Sequence, residues 1–157
     1  MSHDKKEQGE KVVTTNRKAF YDFVIQEKLE AGIALQGTEV KSLREGQANL
    51  RDSYASVDRG QVVLHHCHIS PYSHGNMLNH AEDRTRKLLL HRREIHKLGG
   101  KASEKGYTIV PLQAYFKNGR VKVEIGLARG KKAHDKRETI KRKDIERETR
   151  QAVRERR

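Results

Sequence analysis

The sequence predicts a mainly β protein: a small antiparallel barrel carrying two or three short helices, followed by a basic C-terminal tail that is disordered when free. Three observations predict it. Six or more short segments between residues 20 and 128 are rich in strand formers or alternate apolar with polar side chains. Two of the intervals between them, Asp58-Arg59-Gly60 and Asn118-Gly119, are hairpin turns. Beyond Gly130 the chain is a charged run whose apolar residues are Ala133, Ile140, Ile145, Ala152 and Val153, too few to bury against anything. A closed or nearly closed barrel buries such strands without exposed edges, and an open α+β sandwich is the alternative. The chain thus divides into a flexible segment (1–15), a folded body (16–130) and the tail (131–157).

Residues 1–15 are polar and charged, so order is expected to begin near Phe20. Tyr21 to Ile25 reads as a strand, and Gly32-Ile33-Ala34-Leu35 as its continuation or a second one, with Gly32 at a bulge or a close approach of backbone. Thr38 can cap a helix over 39–45 that Gly46 ends, with Val40 and Leu43 inward and Lys41 and Arg44 exposed. Residues 53–57 and 61–64 form the first hairpin, which 66–69 extends until Pro71. Residues 73–83 read as a flexible polar loop and 86–90 as a strand. A helix over 91–98 turns Ile95 and Leu98 inward and stops at Gly99-Gly100, with a further helical turn over 101–105. Strands 108–116 and 121–128 close the body. In the second, Val121, Val123, Ile125 and Leu127 share one face and Lys122, Glu124, Gly126 and Ala128 the other, the pattern of a half-buried strand. In the tail, an isolated helix is not expected to be stable.

Charge sets the class of partner. Lys and Arg number 34 against 21 Asp and Glu, a formal net charge of +13 in 157 residues. Such an excess opposes compaction and attracts polyanions, RNA first because the charge runs through body and tail alike. No apolar run reaches the length of a membrane span, and the first residues lack the apolar core of a signal peptide. With Cys67 alone, no intramolecular disulfide forms and a cytoplasmic setting fits.

Catalytic motifs are missing. Gly130-Lys131-Lys132 lacks the upstream glycine and the following Ser or Thr of a phosphate-binding loop. Carboxylates are scattered among Lys and Arg rather than clustered for metal-assisted hydrolysis. His65-His66-Cys67-His68 splits between the two faces of a strand, and a pair of ligands is too few for structural zinc. No cofactor, metal or catalytic residue is assigned. Basic side chains next to stackable ones are the better candidates. Asn16, Arg17 and Lys18 precede Phe20 and Tyr21; Lys41 and Arg44 project from a helix; Arg84, Arg86 and Lys87 lead into a strand where Leu89 shares a side with Lys87, opposite Leu88 and Leu90. An exposed Leu89 would pack against an unstacked base while the cations hold phosphates; a Leu89 covered by a helix would be core.

Three blocks carry a resemblance. Residues 30–54 read EAGIALQGTEVKSLREGQANLRDSY, residues 86–94 RKLLLHRRE, and residues 106–137 contain GYTIVPLQAYF, KVEIGLARGK and KKAHDKR. In order and spacing they resemble the small protein B (SsrA-binding protein, SmpB) family over about residues 14–140. One departure is Glu82-Asp83, where the family usually carries a proline. The resemblance implies a barrel similar to an oligonucleotide-binding fold, acting as a monomer. It implies a non-catalytic adaptor whose body binds the tRNA-like domain of transfer-messenger RNA and whose tail reads the vacant mRNA channel of the small ribosomal subunit in trans-translation. It points to Asn16, Glu30 and Leu89 for the RNA, and to the Lys131-Lys132 start of the tail, His134, Asp135, Lys136 and Arg137 for the decoding centre. A general ribosome-associated or chaperone-like RNA-binding protein is the alternative, and an RNA-processing enzyme a third.

Overall fold

The computed structural model describes residues 10–73, 79–104, 106–131 and 133–155. Apolar alternation becomes a ladder of antiparallel strands in the order β1-β8-β4-β5-β7-β2-β9. These are β1 (Glu10–Thr15), β2 (Phe23–Ile33), β4 (Tyr54–Asp58), β5 (Gln61–His65), β7 (Arg86–Leu89), β8 (Tyr107–Lys117) and β9 (Arg120–Gly130). Strand β9 also pairs with β8, so the ladder returns on itself through six strands, and β1 attaches outside it. The expected barrel-like antiparallel sheet is what the strands build. Both predicted hairpins form, and left-handed φ at Arg59, Gly60, Asn118 and Gly119 gives each the twist that two-residue turns need.

The interior holds Leu50, Val62, Leu64, Leu88, Ile109, Ile125 and Leu127, all essentially without solvent contact. Helix α3 (Arg92–Ala102) covers one side of this core with Leu98 and Ile95. It runs through Gly99-Gly100 instead of stopping there, and the extra turn expected over 101–105 is part of it as far as Ala102. Gly99 lies against β4, where a Cβ would meet Val57 Cγ1 at 3.4 Å, an ordinary contact. The stop falls at Ser103, whose N–H donates to Gly99 O.

Several local readings change for physical reasons. Of the segment expected to be flexible, residues 1–9 lie outside the described ones, but 10–15 form β1. Strand β4 meets β8 only near Ile109, which leaves the 113–117 half of β8 as an edge, and β1 covers it. Residues 17–22, read partly as strand, form helix α1 (Arg17–Asp22), because the Asn16 carboxamide accepts from Ala19 N–H and caps it. Strand β2 is one continuous piece whose bulge falls between Ile25 and Glu27; Gly32 is the close approach, its Cβ position 3.2 Å from Leu89 Cβ. The second face of β9 is half-buried at Lys122 and Glu124 and buried at Gly126 and Ala128, where α1 sets Ala19 over Val110, Leu112 and Ala128 as a second small core.

Helix α2 (Gly37–Arg44) starts after Gln36, so Thr38 is not its cap; Thr38 Oγ1 instead lies 2.9 Å from His80 Nδ1. Its end is as expected, with Gly46 at φ +73. Residues 66–69 do not extend β5. His66 turns to φ +60, and β6 (His68–Ile69) pairs with β3 (Ala48–Asn49) in a separate small sheet. Part of the polar loop, 74–78, lies outside the described residues, but its C-terminal side is tied down: buried His80 bonds Ile69 O and Asn79 bonds the Tyr72 backbone in both directions.

The tail differs most. Expected to be disordered, it forms helix α4 (Ala133–Glu155), 23 residues long. Neither Gly nor Pro occurs after Gly130, and Glu138, Arg142, Glu146 and Arg150 follow one another at the four-residue spacing that favours helix through opposite charges.

Candidate nucleic-acid interface

The basic run at 84–87 divides according to strand parity. Arg86 points inward with Leu88 and is fully buried. Its guanidinium donates to the Glu39 carboxylate and to the carbonyls of Cys67, Arg84, Ala81 and Glu82. Arg84 donates to the same carboxylate and to Thr85 O at 3.3 Å. Burial works against a charge on Glu39, but the bonds from Arg84, the Gln36 N–H and Arg86 outweigh it and hold the carboxyl below its ordinary value. Arg86 is therefore withdrawn as a nucleic-acid contact: with no exposed atoms it cannot reach a phosphate, and removing its charge would strand a buried carboxylate. Arg84, mostly covered, serves the same cluster. Lys87 and Leu89 point outward, and Leu89 is 51% exposed. The reading of Leu89 as covered by a helix therefore fails.

Leu89 belongs to a larger outer face. Register places Gly32 beside both Leu89 and Lys122, Glu30 opposite Glu124, and Lys28 opposite Gly126. A shallow cleft of about 370 Å³ is lined by Glu30, Gly32, Leu89, His91 and Lys122 among others. Glu30 accepts from Tyr115 Oη and lies 3.3 Å from Lys117 Nζ, which also reaches Glu10 at 3.9 Å. The Tyr115 bond foremost, with Lys117, keeps the Glu30 carboxyl below its usual range; burial and that carboxylate push the Tyr115 hydroxyl up. Glu30 is thus a fixed anion among cations. Toward α1 the face continues to Lys28, whose ammonium stands 5.6 Å from the centre of the exposed Phe20 ring.

At that end Asn16 is buried. Its Nδ2 donates to Leu50 O at 3.2 Å and Pro111 O at 2.9 Å while its Oδ1 caps α1. Both amide atoms are engaged, so the residue fixes the helix that carries exposed Arg17 and Lys18, the latter paired with Asp52 at 2.6 Å. Tyr21 is half-buried on the same helix. Lys131 joins α1 too, its N–H donating to Asp22 O at 2.8 Å and its Nζ to Phe20 O at 3.0 Å. Lys41 and Arg44 are exposed on α2, away from this group, with Lys41 5.4 Å from the centre of Tyr72. Arg137 is exposed on α4; His134, Asp135 and Lys136 lie in its first turn, and Lys132 lies outside the described residues.

The structure therefore gathers Glu30, Lys87 and Leu89 on one face, with Arg17 and Lys18 at its α1 end, and separates Lys41 and Arg44 from them. Sequence reasoning missed Lys28, Tyr115 and Lys122. The parity of β9 was a signal for Lys122; the Tyr115–Glu30 bond joins strands distant in sequence and had none. Among the described residues, no three of His, Cys, Asp and Glu converge as a metal site. Cys67 is buried, which pushes its thiol up to about 11, and His68 faces Asp83 at 3.0 Å. No helix among the described residues is long and apolar enough to cross a membrane.

A family model described as SmpB protein matches residues 13–155. The chain belongs to the SmpB family. The SsrA-binding protein of Geobacter sulfurreducens is 60% identical over 147 residues, 94% of this chain and 96% of that protein. The SsrA-binding protein of Geobacillus thermodenitrificans is 59% identical over 146 residues, 93% and 94% of the two chains. A solved structure described as "tmRNA-SmpB: a journey to the center of the bacterial ribosome" contains a chain 50% identical to this one, with a TM-score of 0.66 over 76% of this chain and 85% of that one. The family match thus spans the body and the whole of α4.

Proposed function

We propose that this protein is a non-catalytic, cytoplasmic adaptor that binds transfer-messenger RNA and delivers it to stalled ribosomes. Leu89 carries the reading. A leucine half out of the fold, between Lys87 on its own strand and Lys122 across Gly32, suits an unstacked base flanked by phosphates, and the relatives of this chain are named for binding SsrA. Arg17, Lys18 and Tyr21 extend that surface, and Lys41 and Arg44, apart from it on α2, make a separate basic contact. Glu30, held by Tyr115 and Lys117, accepts from base or ribose donors. Asn16 supports the surface by holding α1. The tail, with Lys131, Lys132, His134, Asp135, Lys136 and Arg137 at its start, is the part that enters the mRNA channel and is excluded when message fills it.

The test separates the two parts. Deleting 131–157 should leave binding of transfer-messenger RNA by the body within about threefold and abolish ribosome rescue, while Leu89→Ala should weaken RNA binding about tenfold without moving the unfolding midpoint. Loss of RNA affinity together with rescue on tail deletion would overturn the two-part reading. Equal affinity for unrelated structured RNA, collapsing with salt, would leave general phosphate attraction in its place.

A further inference from the structure

An aromatic cluster on the β4–β5 hairpin is used by neither the core nor the Leu89 face. Tyr54 is 41% exposed, a notable site for a large ring in a chain only 5% aromatic. It is registered opposite His65, and the two rings stack with centroids 4.9 Å apart at an interplanar angle of 20°. Ser56 Oγ lies 2.8 Å from His65 Nε2 and holds that imidazole. A second imidazole, His66, stands 5.7 Å from Tyr54, tilted by 47°. It does so because its backbone sits at φ +60, a conformation uncommon outside glycine, with its carbonyl held by Ser53 Oγ. The inward residues of the hairpin, Ala55, Val62 and Leu64, already fill the core, so this outward stack contributes little to it.

Such a surface takes a flat π system. Tyr54 presents a rigid ring already backed by another, which lowers the entropy cost of stacking a third. Charge nearby selects the source. Val63, two residues before His65 on the same face, is registered opposite Lys87, which puts the backbone of an exposed lysine about 8 Å from that of His65 by strand geometry, with Tyr54 one strand beyond. Arg51, three residues before Tyr54, is exposed as well. A flat ring next to an anion is a nucleotide.

We infer that Tyr54, backed by His65 and flanked by His66, is a stacking platform for an unpaired base of RNA, with Lys87 taking an adjoining phosphate. The inference rests on reading the body as RNA-binding and adds a second contact on another part of the barrel. Lys87 and Leu89 share the outward side of β7, so a single strand crossing β7 would meet both.

The sequence contains no tryptophan, so Tyr54→Trp in the full chain gives a single tryptophan at the platform, excited at wavelengths where the tyrosines do not absorb. Single-stranded oligoadenylate should quench it saturably, and an RNA duplex of equal length should not. Tyr54→Ala should weaken oligoadenylate binding by about 5-fold to 140-fold, the range that aromatic stacking gives per base, and Tyr54→Phe should bind as the parent does. Lack of quenching, equal quenching by the duplex, or unchanged affinity in Tyr54→Ala would overturn the platform. If transfer-messenger RNA still binds and still depends on Leu89, the platform alone has failed; if it does not bind, the reading of the body has failed as well.

Discussion

Arg86 and the arginines of α4 are the same residue type in opposite physical situations. Arg86 has no exposed surface, gives its protons to one carboxylate and four carbonyls, and ties β7 to α2 and to the loop before it. Arg142, Arg147 and Arg150 stand exposed along a helix of which no described residue belongs to the main core. In the first setting the charge is structure, since the fold has already desolvated it. In the second it stays hydrated and available to a polyanion. A count of basic residues adds the two together, although only one kind can meet RNA.

Three measurements can break or sharpen this contrast. The largest effect belongs to Arg86→Met, which leaves Glu39 buried opposite an apolar chain and should cost about 3–5 kcal/mol in urea unfolding. Combining it with Glu39→Gln should recover much of the loss, and an additive double variant would show that the two do not act as a pair. Acid should act on the same cluster more gradually. The folded pKa of Glu39 lies below its ordinary 4.5, so its contribution is complete above 4.5 and disappears as pH falls through the lower folded value. The thermal midpoint should drop in that window, and Glu39→Gln should flatten the drop; an unchanged acid profile would put the acid-sensitive carboxylate elsewhere. The smallest effect belongs to Arg147→Met, which should move stability by less than about 0.5 kcal/mol. A larger change would mean that α4 is bound to the body more firmly than its exposure indicates.

The sequence announced the hairpins, the barrel-like sheet and the two faces of β9 through turn chemistry and alternation, which act over a few residues. It also held the answer for Arg86: the parity that put Leu88 opposite Lys87 puts Arg86 inward as well, but charge was weighed above register. Other features were out of reach. Asn16 bonds carbonyls at Leu50 and Pro111, and Glu30 finds Tyr115; such pairs exist only once distant strands meet. Strand β1 was missed because a polar edge strand is stabilised by the partner that needs it, not by its own composition. Helix α4 was missed because sparse apolar residues were given more weight than unbroken helix-forming composition.

The hold of Lys131 on α1 has a mechanical consequence. A helix of 23 residues is about 35 Å long, so each 10° of rotation at its root carries the far end about 6 Å. Its bearing is the pair of bonds from Lys131 to Asp22 O and Phe20 O, mounted on a helix that Asn16 fastens to the barrel. The aim of the C-terminal lever is therefore set by a buried carboxamide at the opposite end of the chain, and looseness there would appear, magnified, at a tip that Asn16 never touches.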